Sequence, residues 1–241
     1  MTPRLKRVLD RLPTSKGAIV ILSGGMDSTI AMRLAVEKYG AENISSLSFN
    51  YGQKQLIELE RAKQSSLLLN VHHEIAEIPF LHKCAMGVSA NVDPNIEMPT
   101  IEDVLGDPAP KTEVPYRNML LLTHAVMFAQ CRNTETIICG LQIHDNYSYW
   151  DTTTSFLNAM NQVIQLNRKF KPTIIAPFSD LSKTDEINLL LDLDNNVDLL
   201  QYTLTCYNPS DGKSCGNCPS CSERLKAFEN LKIKDPIAYV E

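Results

Sequence analysis

A short apolar segment runs directly into a glycine-containing loop near the start of the chain, and this junction limits the possible folds more than any other part of the sequence. Residues 17–22 read GAIVIL, which is typical of a strand buried on both faces of a parallel sheet. The loop SGGMDS follows at residues 23–28. After it, Ile30, Leu34 and Ala35 fall on one face of a predicted helix.

Strands and helices alternate along the rest of the chain. The other predicted strands are residues 44–49, 73–78, 136–140 and 173–176. The predicted helices are an amphipathic N-terminal segment, residues 53–70, 117–130 and 151–167, one that begins at Ser182, and residues 222–230. This alternation is typical of an α/β protein with a doubly wound, mostly parallel five-stranded sheet. The residue 23 loop, residues 50–53 and Gly140 all follow strands, so we expect them to converge at one binding site.

Some finer predictions concern individual segments. Leu56, Leu59 and Leu67 occur at helical spacing and predict the apolar face of helix 53–70. Residues 79–115 contain many prolines and little periodicity, which predicts that most of the segment is a long loop or lid. Ser182, followed three residues later by Asp185, predicts a helix start of the capping-box kind.

Charge and hydropathy exclude some classes of protein. The chain has 23 Lys and Arg against 28 Asp and Glu, a formal net charge of 23 − 28 = −5, which argues against direct binding of nucleic acid. No run approaches the roughly 18 apolar residues that a membrane span needs. The N-terminal 16 residues are too charged for a secretion signal. We therefore expect a cytoplasmic protein that works without a membrane.

The glycine loop has the chemistry of an anion site. Two glycines allow a tight turn and close approach of an anion to backbone N–H groups, and the helix that follows adds partial positive charge. Ser23 and Ser28 offer hydroxyl donors, and Asp27 could hold Mg²⁺ or cap the helix. The loop lacks the lysine of a Walker loop and the third glycine of a dinucleotide fingerprint. A plain strand-to-helix turn is the alternative. The complete set of residues resembles the pyrophosphate-binding loop of the N-type ATP pyrophosphatases.

Four of the seven cysteines cluster near the C-terminus. Cys206, Cys215, Cys218 and Cys221 form the pattern C-x8-C-x2-C-x2-C. Four thiolates make a closed tetrahedral zinc site, which would be structural because it leaves no open position. An iron-sulfur cluster is the alternative, although the usual runs continue downstream with C-x3-C-P. We expect residues 17–200 to form an ATP-pyrophosphatase α/β domain and residues 201–241 a zinc-binding subdomain.

Taken together, the loop and the cysteine pattern resemble the 7-cyano-7-deazaguanine synthases, the QueC family. The resemblance spans roughly residues 17–228. It is carried by separated motifs: LSGGMDST (residues 22–29), FNYGQ (49–53), VPYRN (114–118), SKTDEI (182–187), and TLTCYN through CGNCPSC (203–221).

The resemblance implies a reaction. It would convert 7-carboxy-7-deazaguanine and ammonia into 7-cyano-7-deazaguanine through acyl-adenylate and amide intermediates, using ATP and Mg²⁺ and releasing AMP and diphosphate. Asp27, Arg117 and Lys183 would be the catalytic residues, and the family implies a homodimer. The nucleotide-binding residues would be Leu22, Ser23, Gly24, Gly25, Met26, Asp27, Ser28, Thr29, Phe49 and Gln53.

The sequence departs from the family at positions expected to face the deazapurine. Tyr116 stands where the family has glycine, and Thr152 and Thr153 replace a cysteine and an arginine of a segment like GYPDCR. The expected substrate residues are Tyr116, Asn118, Tyr149, Trp150 and Asp151. Tyr149 and Trp150 could stack on a heterocycle or fill the core.

These departures leave other functions open. The enzyme could stop at the amide, or couple a deazaguanine carboxylate to another amine. A tRNA sulfur-transfer enzyme would need Cys84, Cys131 or Cys139 as a persulfide carrier, but none of these lies in a C-x-x-C pair. A zinc-ribbon nucleic-acid module has few basic residues near the cysteines to support it. His144 and Asp145, at the predicted fourth strand end, are more typical of structural residues.

Overall fold

A computed structural model describes residues 1–99, 107, 110–142 and 149–240. The strands are β1 (Ala18–Ile21), β2 (Ile44–Asn50), β3 (His72–Glu77), β4 (Thr136–Cys139) and β5 (Thr173–Ile175). The helices are α1 (Pro3–Leu9), α2 (Met26–Tyr39), α3 (Ile57–Leu68), α4 (Pro79–Ala85), α5 (Arg117–Cys131), α6 (Thr154–Gln165), α7 (Lys183–Asp194) and α8 (Pro219–Leu231). Short 3₁₀ helices occupy Ala41–Asn43, Trp150–Thr152 and Asp198–Tyr202.

The five strands form one sheet in the order β3-β2-β1-β4-β5, and every pair is parallel. Val20 of β1 pairs with Ser46 of β2 on one side and with Ile138 of β4 on the other. The direction of winding therefore reverses between β1 and β4. This confirms the predicted doubly wound α/β fold and places the switch point directly after the glycine-loop strand.

Helices cover both faces of the sheet. In β1, Ile19 and Val20 point to opposite faces and both are fully buried. Val20 joins a core formed with α1, α2, α7 and α8, whereas Ile19 joins a core formed with α4, α5 and α6. This two-sided burial explains why the first strand is apolar at nearly every position. No helix among the described residues is long and apolar enough to cross a membrane.

The predicted apolar face of α3 is correct at Leu59, which is buried, but wrong at Leu56 and Leu67. Leu56 is 51% exposed and Leu67 is 80% exposed, while Ser65 and Ser66 are buried. The reason lies on the neighbouring strand, because Ser46 of β2 forms a hydrogen bond of 2.9 Å with Ser66 and presents no large apolar surface to the helix. Small, polar residues therefore face the sheet here.

The segment 79–115 was predicted to be mostly a loop; among its described residues, α4 occupies the first seven. Pro79 lies in the first turn of that helix, where its missing N–H costs nothing, so the proline starts the helix rather than breaking it. Residues 100–106, 108 and 109 lie outside the described residues. The predicted capping box is confirmed: Ser182 accepts from the Asp185 backbone, and the Asp185 side chain accepts from Ser182.

Tyr116 precedes α5 in the left-handed conformation, with φ of 52° and ψ of 25°. Glycine adopts this region without steric cost, whereas other residues pay about 1–2 kcal/mol. The left-handed backbone therefore explains why the family motif has glycine at this position. Tyr116 adopts the same conformation at the cost of strain. Its ring is mostly exposed and contacts Trp150 edge-on at 5.4 Å between centroids.

This strain predicts a difference between two substitutions. Tyr116→Gly and Tyr116→Ala both remove the Trp150 contact, so their difference reports the backbone alone. We expect the glycine variant to have the larger free energy of unfolding by about 1 kcal/mol, measured by urea denaturation. Equal stabilities would contradict the left-handed conformation.

Candidate active site

A cavity of about 340 Å³ lies at the switch point, where the loop after β1 meets the ends of β2 and β4. This volume is within the range of about 300–1,000 Å³ that is typical of small-molecule sites. Of the predicted nucleotide-binding residues, those that line it are Leu22, Ser23, Gly25, Asp27, Ser28 and Phe49. Arg117 and Asn118 line it from the start of α5, and Gly140 lines it from the end of β4. The sequence prediction that these strand ends converge is confirmed.

Two glycines allow the loop to pack as it does. Gly24 has a φ of +82°, and a Cβ atom there would lie 2.1 Å from the backbone oxygen of Glu58. A Cβ atom at Gly140 would lie 2.8 Å from the backbone nitrogen of Ser28. A side chain at either position would therefore push the loop away from α3 or from β4. Gly25, the N-cap of α2, makes no side-chain cap, which leaves first-turn N–H groups of the helix available to an anion.

Hydroxyl groups hold the loop in shape. The Ser23 and Ser28 oxygens are 3.0 Å apart, and the backbone N–H of Gly25 donates to the Ser23 hydroxyl at 3.2 Å. Ser28 also donates to the backbone oxygen of Gly25 at 3.2 Å. Serine hydroxyls can rotate toward a phosphate without moving the backbone. The loop is therefore shaped before any ligand binds.

Lys183 and Asp27 meet beside the loop. The ammonium group donates to both carboxylate oxygens of Asp27, at 2.9 and 2.7 Å. Burial would lower the pKa of Lys183, but the charges of Asp27 and Glu186 outweigh burial and raise it. Lys183 is therefore a fixed positive charge within reach of the anion site. The sequence motifs placed Asp27 and Lys183 far apart in the chain, and the structure brings them together.

Glu186 belongs to the same group and was not singled out in the sequence. It lies one turn after Lys183 in α7, is fully buried, and accepts a hydrogen bond from Gln142. Burial and the nearby Asp27 charge raise its pKa well above the usual value. Its spacing of three residues from Lys183 was the available signal, since such residues share a helix face.

Arg117 contacts a second group of residues that the sequence analysis missed. Its guanidinium interacts with Tyr51, whose pKa is raised by burial, and more distantly with Glu58. Tyr51 and Glu58 both line the cavity, as do Gln55, Asn91 and, from the C-terminal segment, Tyr207. Tyr51 lies within the FNYGQ motif, so the motif could have indicated it; Glu58 lies outside every quoted motif.

Gln53 stabilises the cavity wall through hydrogen bonds to residues that line it. Its side-chain amide donates to the backbone oxygen of Phe49 at 3.0 Å and to Glu58 at 2.9 Å, while its oxygen accepts from the Tyr51 N–H at 3.0 Å. It is not among the described residues that line the cavity. Its expected contact with adenine stays a prediction. Gly24, Met26 and Thr29 are likewise not among the described residues that line the cavity, and their nucleotide contacts also stay predictions.

The expected substrate residues do not share one cavity. Asn118 lines the main cavity, and Tyr149 lines an adjoining cavity of about 210 Å³ that also reaches Thr152 and Lys183. Trp150 instead packs edge-on against Phe156, at 5.3 Å between centroids, and like Tyr116 it is not among the described residues that line either cavity.

Asp151 has a structural partner. Its carboxylate accepts from the backbone N–H of Asn118 at 3.2 Å, in the first turn of α5. Thr153 caps α6 by accepting from the Phe156 N–H at 3.1 Å, so that helix begins later than predicted. Residues 143–148, which include His144, Asp145 and Ser148, lie outside the described residues.

The four clustered cysteines converge as the spacing predicted. All four sulfurs lie within 4.8 Å of one another, and those of Cys215 and Cys221 are 4.0 Å apart. Thiolates bound at about 2.3 Å to a tetrahedral zinc ion would be about 3.8 Å apart, so the cluster fits such an ion. Backbone N–H groups point at the sulfurs, for example from Cys215 and Asn208 to Cys206 at 3.2 and 3.3 Å. The cluster could hold a metal ion.

The remaining cysteines lie apart. Cys84 and Cys131 are exposed on α4 and α5. Cys139 is buried at the end of β4, and burial raises its pKa to about 12. A thiol with that pKa is a poor nucleophile, which gives no support to a persulfide carrier at Cys139.

The strand order and the glycine loop at its switch point define the adenine nucleotide alpha hydrolase-like fold. An NMN synthetase from Francisella tularensis has a similar structure, with a TM-score of 0.51 and 16% identity over 97% of this chain and 88% of its own. Residues 17–232 match the family model of the queuosine biosynthesis protein QueC. The chain belongs to the QueC family and is therefore an enzyme.

Curated relatives match along nearly the whole chain. The 7-cyano-7-deazaguanine synthase of Koribacter versatilis is 37% identical over 92% of this chain and 92% of its own length. That of Acetivibrio thermocellus is 39% identical over 93% of this chain and 98% of its own. Relatives at this identity share the fold.

Proposed function

We propose that this enzyme converts 7-carboxy-7-deazaguanine and ammonia into 7-cyano-7-deazaguanine with two molecules of ATP. The substrate carboxylate attacks the α-phosphate, which gives an acyl adenylate and diphosphate. Ammonia then displaces AMP and forms the amide. The amide oxygen attacks the α-phosphate of a second ATP and expels diphosphate, and loss of AMP and both amide protons leaves the nitrile. The observation that carries the proposal is the placement of the glycine loop and Arg117 in the main cavity, with Lys183 in the adjoining cavity and paired with Asp27, which lines both, in a chain whose relatives are named for this product.

In each half of the reaction, the protein must bind the departing diphosphate and stabilise the negative charge on the α-phosphate. The departing diphosphate needs N–H donors, which the first turn of α2 after Gly25 supplies. The negative charge that develops on the α-phosphate needs fixed cations, and Lys183 and Arg117 supply them. Both cations are held in place by neighbours, so they need not reorganise during the reaction.

The Mg²⁺ that accompanies ATP and the structural zinc ion would bind at separate sites. Asp27 offers a carboxylate ligand for the Mg²⁺ that accompanies ATP, which would neutralise phosphate charge. Zinc would bind the four cysteines and stabilise residues 203–221 rather than act on the substrate, because four thiolates leave no open position.

An end-point assay by mass spectrometry tests the proposal. The purified protein would be incubated with 7-carboxy-7-deazaguanine, ammonium, Mg²⁺ and ATP, and AMP and diphosphate would be counted. Nitrile with two AMP per product supports the proposed reaction. Amide with one AMP would show that the enzyme stops halfway, and no turnover while ATP still binds would contradict the substrate assignment.

Replacing Lys183 tests the role of the fixed cation. Lys183→Met keeps the aliphatic stem and removes the charge, so we expect kcat to fall roughly 100-fold. Lys171→Met makes the same chemical change at an exposed position and should leave kcat unchanged. Thermal unfolding of both variants separates a catalytic loss from a folding loss. If kcat of the Lys183 variant stays within about threefold of the original, the proposed role is wrong.

A further inference from the structure

The Glu58 side chain lines the main cavity, although its position in the first turn of a helix favours exposure to solvent. It lies in the first turn of α3, where acidic residues offset the partial positive charge of a helix N-terminus. Glu60, in the same turn, is exposed and can do this in water. Glu58 instead lines the wall of the main cavity together with Tyr51 and Leu59. The helix end alone does not explain its orientation.

The Glu58 carboxylate is held rigidly and has few donors. Its Oε1 atom accepts from the Gln53 amide at 2.9 Å, and Gln53 is itself buried and fixed by the backbone of Phe49 and Tyr51. Among the described residues, that amide is its hydrogen-bond donor, and Arg117 acts on it only through longer-range charge. Burial raises the pKa of Glu58 to about 7, because the charged carboxylate loses contact with water. Hydrogen-bond donors on a ligand would offset this loss of solvation.

The place of Glu58 along the cavity indicates which ligand group it meets. Its backbone oxygen lies directly against Gly24, because a Cβ atom at that glycine would be 2.1 Å away. Glu58 therefore borders the phosphate loop on the side of the second strand. A ribose is joined directly to the α-phosphate of a nucleotide, and its two neighbouring hydroxyls are both donors. Acidic residues near the second strand bind ribose hydroxyls in dinucleotide folds as well.

We propose that Glu58 accepts hydrogen bonds from the ribose hydroxyls of ATP and thereby selects a ribonucleotide over a deoxyribonucleotide. The inference rests on the proposed function, which takes ATP as substrate. Hydrogen bonds from hydroxyls to a carboxylate are short and strong, and Gln53 presents the carboxylate in one orientation. Loss of one such bond weakens binding roughly tenfold to hundredfold.

Calorimetry without the deazapurine measures this directly. The full-length protein, Glu58→Gln and Glu60→Gln would be titrated with ATP, 2′-deoxy-ATP and 3′-deoxy-ATP in the presence of Mg²⁺. We expect the original protein and Glu60→Gln to prefer ATP over at least one deoxy analogue by roughly tenfold or more. In Glu58→Gln an amide N–H₂ group replaces one of the carboxylate oxygens that accept hydrogen bonds. The preference for ATP over the deoxy analogues should therefore fall below about threefold. If Glu58→Gln does not fold, Glu58→Asp, which shortens the reach by one methylene, should show the same loss in part.

The outcomes separate this inference from the proposed function. Equal affinity of the original protein for ATP and both analogues overturns the role of Glu58 and leaves the proposed reaction intact. A Glu58→Gln variant that keeps its preference for ATP but has a raised KM for the deazapurine also overturns it, since Glu58 would then face the other substrate. Ribose discrimination lost in Glu58→Gln, in a protein with no turnover, supports the inference while contradicting the proposed function. Absence of ATP binding contradicts both.

Discussion

A Cys221→Ser variant is expected to lose its bound metal, its thermal stability and its affinity for ATP together. Cys221 is fully buried at the start of α8, and its sulfur faces that of Cys215 at 4.0 Å. Binding of a structural metal by four thiolates contributes on the order of 10 kcal/mol, which is comparable with the whole stability of a typical domain. Metal content by elemental analysis, thermal unfolding and calorimetry with ATP measure the three losses.

ATP affinity should fall because the cysteine segment forms part of the main cavity, which we propose binds ATP. Cys206 and Tyr207 line that cavity, and the backbone N–H of Leu204 donates to the backbone oxygen of Gly24 at 2.9 Å. A metal bound by the cluster would therefore hold this backbone against the glycine loop. Disorder of residues 203–221 would release the loop even though none of the cysteines touches a phosphate.

Cys84→Ser is the matched control, because Cys84 is exposed on α4 and outside the cluster. It should keep full metal content, stability and ATP affinity. A Cys221→Ser protein that retains ATP affinity after losing its metal would contradict the coupling between cluster and loop. Iron with visible absorbance, in place of zinc, would support the iron-sulfur alternative and leave the structural role of the cluster unchanged.

The sheet was predictable because its signals are local. Ile19 and Val20 lie in an apolar run, the serine and aspartate of the capping box are three residues apart, and the cysteines have metal-ligand spacing. Each of these patterns depends on backbone geometry within a few residues. The switch point then followed from the alternation of strands and helices, and with it the convergence of the glycine loop and Gly140.

The rest of the site depends on contacts that local patterns do not encode. Glu58 and Arg117 are separated in sequence by β3 and α4, and only the packing of α3 and α5 brings them to one cavity. The face of α3 was mispredicted because the polar pair of Ser46 and Ser66 replaces an apolar contact. Trp150 packs against Phe156, which the sequence pattern did not indicate, and its expected contact with the substrate stays a prediction.

Arg224→Met is expected to lower the free energy of unfolding by about 3–5 kcal/mol. Arg224 is fully buried and donates to both oxygens of Asp235, at 2.7 and 2.9 Å. It also donates to the hydroxyl of Thr203 at 2.7 Å and to the backbone oxygen of Leu200 at 3.2 Å. Methionine fills similar space but leaves Asp235 as a buried charge without its cation, which is the main source of the loss. Chemical denaturation at neutral pH measures the change.

A double substitution separates the lost pair from the lost packing. Arg224→Met combined with Asp235→Asn removes the uncompensated charge, so we expect it to be more stable than Arg224→Met alone by about 1–3 kcal/mol. Arg224→Lys should restore little, because a single ammonium cannot reach Asp235, Thr203 and Leu200 together. A loss below about 1 kcal/mol for Arg224→Met would show that this cation is dispensable. Since Thr203 adjoins Leu204, whose backbone N–H donates to the Gly24 oxygen, Arg224 anchors the backbone that contacts the glycine loop.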